Sequence, residues 1–560
     1  MTEKIQKLMR DVPSIRWTAL VLLSFAMFCS YIFMDILSPI KDLMESTRGW
    51  DSAAFGTMQG SETFLNVFIF FLIFAGIILD KLGVRFTAIL SGVVMLCGAV
   101  IKWYSVSNAF TGSGLEAWFT ANLNYIPGFD ELGISPFYRG MPASAKLASV
   151  GFMIFGCGVE MAGITVSRGI VKWFKGKEMA LAMGSEMALA RLGVATCMIF
   201  SPLIAKWGAD ATSDTFLMDV NVANSVAFGV ILLMIALIMF IVYFFMDKKL
   251  DAQTGEAEEK DDPFKVSDIR KIFASTGFWL VALLCVLYYS AIFPFQKYAV
   301  NMLQCNLTFV EPEAGTFWAS NTVTFVQYGI MLIVAAFAFI SNFRKGAQKY
   351  IFLGISIIAL IAFCYMGYMR QSAETIFAVF PLLAVGITPI LGKYVDTKGK
   401  AASMLMIGSI LLIVCHLTFA FVLPLAKGSA IGGVLIAYVT ILVLGASFSL
   451  VPASLWPSVP KLVDQKVIGS AYALIFWIQN IGLWIFPLLI GKILNASNPD
   501  IVRAVADKKM TSEVAAVSYN YTNPLIMLAV LGAAALILGF VLKAVDKKKG
   551  YGLELPNIKN

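Results

Sequence analysis

Apolar and polar positions alternate along this chain on the scale of whole helices, not of single residues. Windows of about twenty apolar residues recur between short polar breaks, at about 17–37, 55–79, 86–104, 147–171, 180–205 and 221–245. A charged stretch, DKKLDAQTGEAEEKDDPFKVSD (247–268), interrupts the series and reads as a helix-poor soluble connector. Eight more windows follow at about 277–300, 318–342, 350–369, 373–395, 401–424, 430–454, 467–491 and 523–545. Each is long enough to cross a ~30 Å hydrocarbon layer as a helix. The pattern predicts an all-α polytopic membrane protein with about 14 transmembrane helices. Its expected parts are an N-terminal half (1–245), a charged cytoplasmic linker (246–276), a C-terminal half (277–546) and a cytoplasmic tail (547–560).

Composition agrees. Of 560 residues, 59% are hydrophobic and 14% charged, against roughly 25% charged in an ordinary soluble domain. The first fifteen residues are polar and basic, and the apolar run after them ends at Asp35 without a small-residue cleavage site, so it reads as a first span and not a signal peptide. The net charge of +8 does not mark an acidic partner. Alternating the loops puts 28 of the 43 basic residues on one side, 13 on the other, and Arg168 and Arg191 in the membrane. By the positive-inside rule both termini are cytoplasmic. The eight cysteines and the single His416 show no metal-ligand spacing, and His416 reads as a packing residue. No metal or cofactor is expected.

One turn pattern occurs twice. GIILDKLGVR supplies Gly76, Asp80, Gly83 and Arg85; GKYVDTKGK supplies Gly392, Asp396, Gly399 and Lys400. Both are G-x-x-x-D-x-x-G followed by a basic residue, between two apolar helices. The second glycine supplies a positive φ for a tight turn, and the aspartate is expected to cap a neighbouring helix N-terminus. Two copies in matching positions of two halves resemble the major facilitator superfamily, whose six-helix halves each carry this motif between their second and third helices. The copies depart from the usual pair of adjacent basic residues, having Val84–Arg85 and Lys400–Ala401. The resemblance implies a twelve-helix core, and parity then places an extra helix pair in about 303–372, at about 318–369.

Charge inside the spans gives the candidate chemistry. Glu160 lies mid-span in GCGVEMAGITVSRG, and Arg191 lies at similar depth in the next span. A mid-bilayer charge costs at least ~2.5–3.5 kcal/mol and by default faces the bundle interior. The two either neutralise each other as a structural pair or are held apart, so that a zwitterion places its ammonium on Glu160 and its carboxylate on Arg191. Asp35 and Glu62 read as helix-end residues reaching toward the interface. Glu186 is expected on another face from Arg191, beside Lys177 or a neighbouring helix. Asn306, Asn495 and Asn520 open three glycosylation triplets in outside loops.

The stretch GVEMAGITVSRGIVKWFKGKEMALAMGSEMALARLG, with LLCVLYYSAIFPF, VDTKGK, SLWPSV and WIQNIGL, resembles the lysosomal dipeptide transporters of the superfamily (the domain-containing protein 1 type). The resemblance implies that Glu160 and Arg191 engage peptide termini. In the superfamily the seventh and eleventh helices line the cavity, making Tyr288, Tyr289, Gln479 and Asn480 further substrate-binding candidates. Phe152 stands where many proton-coupled members keep an arginine, which leans toward a uniporter working by facilitated diffusion.

The expected function is a secondary transporter of small zwitterions, most of all dipeptides, by alternating access. A carrier of another small organic solute (a sugar, organic anion or drug) is the first alternative, and a non-transporting receptor or scaffold the second. No catalytic cluster and no GxxxxGK[ST] phosphate loop suggests an enzyme or an ATP-driven pump. The expected partners are the lipid bilayer and a small-molecule substrate, with no nucleic acid or nucleotide and an accessory subunit left open. Without an acidic dileucine word in the N-terminal tail, a plasma or bacterial inner membrane is the expected location, a lysosomal-type membrane being the alternative.

Overall fold

The computed structural model describes residues 8–556, apart from 176, 210–212, 214–215, 255–265, 311, 314 and 464–467. Parts of two expected segments, the basic start with Lys4 and Lys7 and the middle of the linker, lie outside the described residues, as does Lys466. Among the described residues the chain is helical and contains no strand. Thirteen helices are long and apolar enough to cross a membrane. One of them, Phe71–Val106, is broken at Gly83, whose φ of 76° and ψ of 169° are not helical. The part before the break continues a span that begins at Ser52, so the thirteen helices are compatible with the expected fourteen crossings.

We label Pro13–Asp35 α1, Ser52–Gly60 α2, Phe71–Val106 α3, Ala143–Phe174 α4, Met179–Ala205 α5 and Val222–Thr254 α6. The second half begins with α7 (Thr276–Asn306). The inserted pair follows as α8 (Asn321–Ser341) and α9 (Gly346–Arg370), then α10 (Ala373–Lys398), α11 (Ala401–Leu417), α12 (Ala430–Leu462), α13 (Ile468–Ser497) and α14 (Thr522–Lys549). Side-chain caps start several of them. Asp51 Oδ1 accepts from Ala54 N at 2.8 Å, and Ser429 Oγ from Gly432 N at 3.0 Å, satisfying amides that no helix turn can reach.

Two corrections concern boundaries. The second span is not one helix at 55–79: α2 passes into a 3₁₀ turn (Ser61–Thr63) and a short helix (Phe64–Phe68) before α3 begins. Nor is 247–268 helix-poor throughout, because α6 continues to Thr254. The reason is local pairing of its acids. Asp247 is fully buried and accepts from Trp173 Nε1 (2.9 Å), Tyr243 Oη (3.1 Å) and Lys172 Nζ (2.6 Å). Asp251 bonds Arg85 at 2.9 Å and Lys172 at 2.6 Å.

In the first half α1 packs on α5 and α6, and α3 on α4 and α6. In the second α7 packs on α13 and α14, α10 on α12, and α11 on α12 and α14. The halves meet along two seams, α2 with α13 and α5 with α10. Of the inserted pair, α8 touches both α5 and α10, so it covers the second seam: Tyr328 stacks edge-on against Phe200 at 4.8 Å. Its companion α9 turns Tyr350, Ile358 and Ile361 outward.

The described part of the C-terminal tail folds back over the second motif turn. Lys400 N donates to Glu554 O at 3.2 Å and Ala401 N to Leu553 O at 3.0 Å. The Glu554 carboxylate accepts from Ser403 N at 2.9 Å and Ser403 Oγ at 2.8 Å, and Leu553 is fully buried. Gly399 has φ 76° and no room for a Cβ against Glu554 and Leu555, so both backbone conformation and the crossing tail demand glycine there.

Candidate functional site

Between the halves lies a cavity of about 1640 Å³. At one end it reaches the two motif turns, where Gly76, Asp80, Gly392 and Asp396 line it; at the other end it stops at Asp35, Glu62 and Lys297. Beyond that end the halves are bonded together. Lys297 Nζ (α7) pairs with Asp35 Oδ1 at 2.8 Å, and Gln296 Nε2 donates to Asp35 Oδ2 at 2.6 Å. Tyr298 Oη lies 3.0 Å from Ser52 O, and Asn495 Nδ2 donates to Asp51 Oδ2 at 2.7 Å. This conformation is closed at the far face and open toward the motif turns.

The first motif copy is held by ion pairs. Asp80 Oδ1 bonds Arg168 Nη1 of α4 at 2.6 Å, and Arg85 reaches Asp251 of α6. Asp80 thus pairs with a side chain where a helix-capping contact was expected. The expectation of a positive φ at the second glycine holds at both Gly83 and Gly399.

Glu160 and Arg191 both line the cavity and make no ion pair with each other among the described residues. Each has its own partner. Glu160 Oε1 accepts from Asn480 Nδ2 of α13 at 3.0 Å. The Arg191 guanidinium lies over three rings, Phe448 at 4.8 Å, Phe293 at 5.1 Å and Tyr31 at 5.6 Å, a box that stabilises a cation by about 0.5–2 kcal/mol per good contact. Two opposite charges therefore face one space without cancelling.

The remaining candidates divide. Tyr289, Gln479 and Asn480 line the cavity; Tyr289 Oη accepts from Trp456 Nε1 at 3.0 Å. The structure does not bring Tyr288 there. It is fully buried against α11, bonded to Leu405 O and, at 2.5 Å, to Ser409 Oγ. Asp35 does end α1, but neither it nor Glu62 reaches for the interface: both are at least nine-tenths buried and line the cavity. Glu186 also lines it, while Lys177, its expected partner, bonds Asp11 at 2.9 Å.

His416 is fully buried, its Nε2 3.1 Å from Ala291 O and its ring edge-on to Phe295, as a packing residue would be. Of the three glycosylation asparagines, Asn306 is buried and donates to Met302 O at 2.9 Å, Asn495 holds Asp51, and Asn520 is exposed. No group of metal-ligating side chains occurs among the described residues.

Sequence reasoning passed over Lys297, Gln296, the Arg191 ring box and the role of Arg168. Lys297 was counted among the outside loops. Its signal was a polar pair, Gln296–Lys297, inside the apolar run LLCVLYYSAIFPFQKYAV (283–300).

Residues 23–371 match the sequence model of the Major Facilitator Superfamily. The lysosomal dipeptide transporter MFSD1 of Danio rerio is 23% identical over 490 residues, covering 86% of this chain and 81% of that protein. Its Homo sapiens counterpart is 22% identical over 491 residues, covering 86% and 80%. Two solved structures share the fold. One is a bacterial homologue of the human lysosomal transporter Spinster, in an inward-facing and occupied conformation (TM-score 0.57, 11% identity, 95% of this chain and 98% of that one). The other is the nucleoside transporter NupG (TM-score 0.55, 12% identity, 95% and 99%).

Proposed function

This chain belongs to the Major Facilitator Superfamily, a family of membrane transporters, and from that premise we propose that it carries dipeptides by alternating access. The observation that carries the reading is the separation of Glu160 from Arg191 across one cavity, each with a weaker neutral partner that a charged ligand group displaces. A dipeptide's ammonium takes Glu160, and its carboxylate takes the Arg191 fork, for which arginine is better suited than lysine. An extended dipeptide spaces its termini by roughly 7 Å, so poles too far apart to bond each other favour it over a free amino acid. The similarity to proteins named as dipeptide transporters supports the same substrate class.

Transport proceeds by rocking of the halves, 1–245 against 277–546, about this central site. The Asp80 and Asp396 turns latch the open face when it closes. Both termini lie on the cytoplasmic side, so the present conformation faces inward. Without an arginine at Phe152, transport is facilitated diffusion. A second reading, a carrier of nucleosides or sugars, draws on the solved neighbours, but the opposed charges of the cavity favour a zwitterion.

Uptake into proteoliposomes tests the proposal. Dipeptides should enter and compete with one another, while nucleosides, sugars and dipeptides blocked at either terminus should not. Glu160→Gln and Arg191→Lys should each abolish uptake in protein that still folds. Undiminished uptake by either variant, or equal uptake of a blocked dipeptide, overturns the assignment.

A further inference from the structure

Lys102, near the C-terminal end of α3, is fully buried, and its Nζ has no hydrogen-bond partner among the described residues. A lysine so close to a helix end ordinarily snorkels its ammonium to the interface. This one turns inward. Its Nζ lies 3.5 Å from the centroid of the Phe152 ring and 5.2 Å from that of Phe33. The main chain seats it there. Helices α3 and α4 approach so closely at Gly98 and Gly151 that neither glycine has room for a Cβ, and at Gly151 the obstacle includes Lys102 N itself. The ring faces stabilise a buried cation but leave its N–H donors without acceptors.

Carboxylates stand close by. Glu62 lies against α4 one turn beyond Phe152, at Gly156, where a Cβ would meet Glu62 O and Cγ. It is 9% exposed and makes no hydrogen bond or ion pair among the described residues. The charges around it are those of Lys297, Asp35, Glu160 and Lys102. Asp35 is satisfied from the other half: Lys297 Nζ at 2.8 Å and Gln296 Nε2 at 2.6 Å both come from α7.

These groups do not travel together. Asp35, Glu62 and Lys102 lie on the first half, in α1, the 3₁₀ turn Ser61–Thr63 and α3, whereas Lys297 lies on the second. Rocking that opens the far face carries Lys297 and Gln296 away with α7. Of the two cations beside Glu62, only Lys102 then stays. A carboxylate stripped of its partner inside a protein is strongly destabilising, and an ammonium with unused donors in the same half relieves it.

We propose that Lys102 is a reserve counter-charge of the transport cycle: when the far face opens and Lys297 withdraws, its ammonium leaves the Phe152 ring and pairs with the carboxylates of Asp35 and Glu62. It is a positioning residue, acting through these two acids and touching no substrate. The inference rests on the rocking of the halves in the reading above and not on the identity of the substrate.

Hydrogen exchange of the purified full-length protein follows the far face without any substrate, at Lys41–Arg48 and Ser512–Ala516, which pack on each other there. In Lys102→Met both segments should exchange at least about threefold more slowly, because the far-open conformation has lost its counter-charge. Dipeptide uptake into proteoliposomes should fall about tenfold in initial rate. Dipeptide affinity, read by thermal stabilisation, should change less than about twofold, and the thermal midpoint should not drop, since Lys102 makes no hydrogen bond in the closed conformation. Lys102→Arg should restore most of the rate, and Lys102→Met combined with Glu62→Gln should restore part of it. Unchanged exchange and uptake in Lys102→Met overturn the proposal. So does a lowered midpoint that Lys102→Arg leaves lowered, which marks a packing residue. Should Lys102→Met fail to fold, Lys102→Gln takes its place, and failure of both likewise assigns packing and overturns the proposal. Absence of dipeptide uptake by the unaltered protein overturns the dipeptide reading alone, and the exchange measurement still decides on Lys102.

Discussion

Asn480 Nδ2 donates to Glu160 Oε1 at 3.0 Å, and this bond joins α13 of one half to α4 of the other in the middle of the cavity. A hydrogen bond to a charged group is worth about 1.5–3 kcal/mol. Because the ligand's ammonium displaces this bond, Asn480→Ala should tighten dipeptide binding, by up to about tenfold. Asn480→Asp, which sets a second carboxylate against the first so that the two share a proton, should slow uptake. Initial rates of uptake measure both, and unchanged rates in Asn480→Asp would remove Glu160 from the substrate path.

Arg191 offers a charge and a planar fork inside a box of three rings. Lysine keeps the charge and loses the fork. In a binding comparison, the unaltered protein should discriminate a free dipeptide from its C-terminal amide by at least about tenfold, and Arg191→Lys should discriminate poorly. Equal discrimination by both proteins would assign the substrate carboxylate elsewhere.

The Asp35–Lys297 pair is buried where the halves close, with side-chain exposures of 1% and 8%. Removing one partner of such a pair leaves an uncompensated charge and costs about 3–5 kcal/mol, whereas removing both costs far less. Lys297→Met should thus lower the thermal midpoint more than Lys297→Met combined with Asp35→Asn. If the double variant is the less stable of the two, the pair stabilises the closed face outright.

At the opposite face Asp80 bonds Arg168 at 2.6 Å. Asp80→Asn should slow uptake by about tenfold without altering dipeptide affinity, because it touches the moving turn and not the ligand. Exchanging the charges, Asp80→Arg with Arg168→Asp, should restore part of the rate. A loss of affinity equal to the loss of rate would contradict a purely conformational role.

Outside the spans, two carboxyl groups hold the start of the chain to the loop between α4 and α5. The Lys177 ammonium bonded to Asp11 keeps that carboxyl below its usual range; Glu178 is also held low, first by its own backbone amide and then by Arg16 at 2.8 Å. Groups with depressed values contribute above the ordinary carboxylate pKa of about 4, and the contribution disappears as pH falls through the lower folded values. The protection factors of the amides at residues 8–12, taken relative to the intrinsic exchange rate at each pH, should be higher at pH 7 than below about pH 4. Protection that persists unchanged to pH 2 would mean that these exposed pairs hold nothing.

Much of this was legible before any coordinates. A twenty-residue apolar run admits few readings, and a carboxylate at Glu160 inside one is conspicuous. Gly83 and Gly399 announced themselves because a positive φ has few tolerated residues. What stayed hidden was rotation about each helix. Tyr288 and Tyr289 are adjacent, yet about 100° of helical turn sends one against α11 and the other into the cavity. Asp35, Glu62 and Lys297 looked peripheral because their depth was judged by distance from a helix end, while their burial depends on the opposite half. Asp247 looked like linker because its composition is polar, and only its three partners keep α6 continuous.

The tail bound across Gly399 makes the two halves unequal machines. Salt and acid act on the ion pairs around Asp80, whereas the Asp396 turn is clasped by main-chain bonds and the sunken Leu553. The first turn is therefore held by charge pairs, and the second also by the segment that crosses it at residues 553–555. A fusion partner or a protease cut near Glu554 becomes a handle on only one side of the rocking motion.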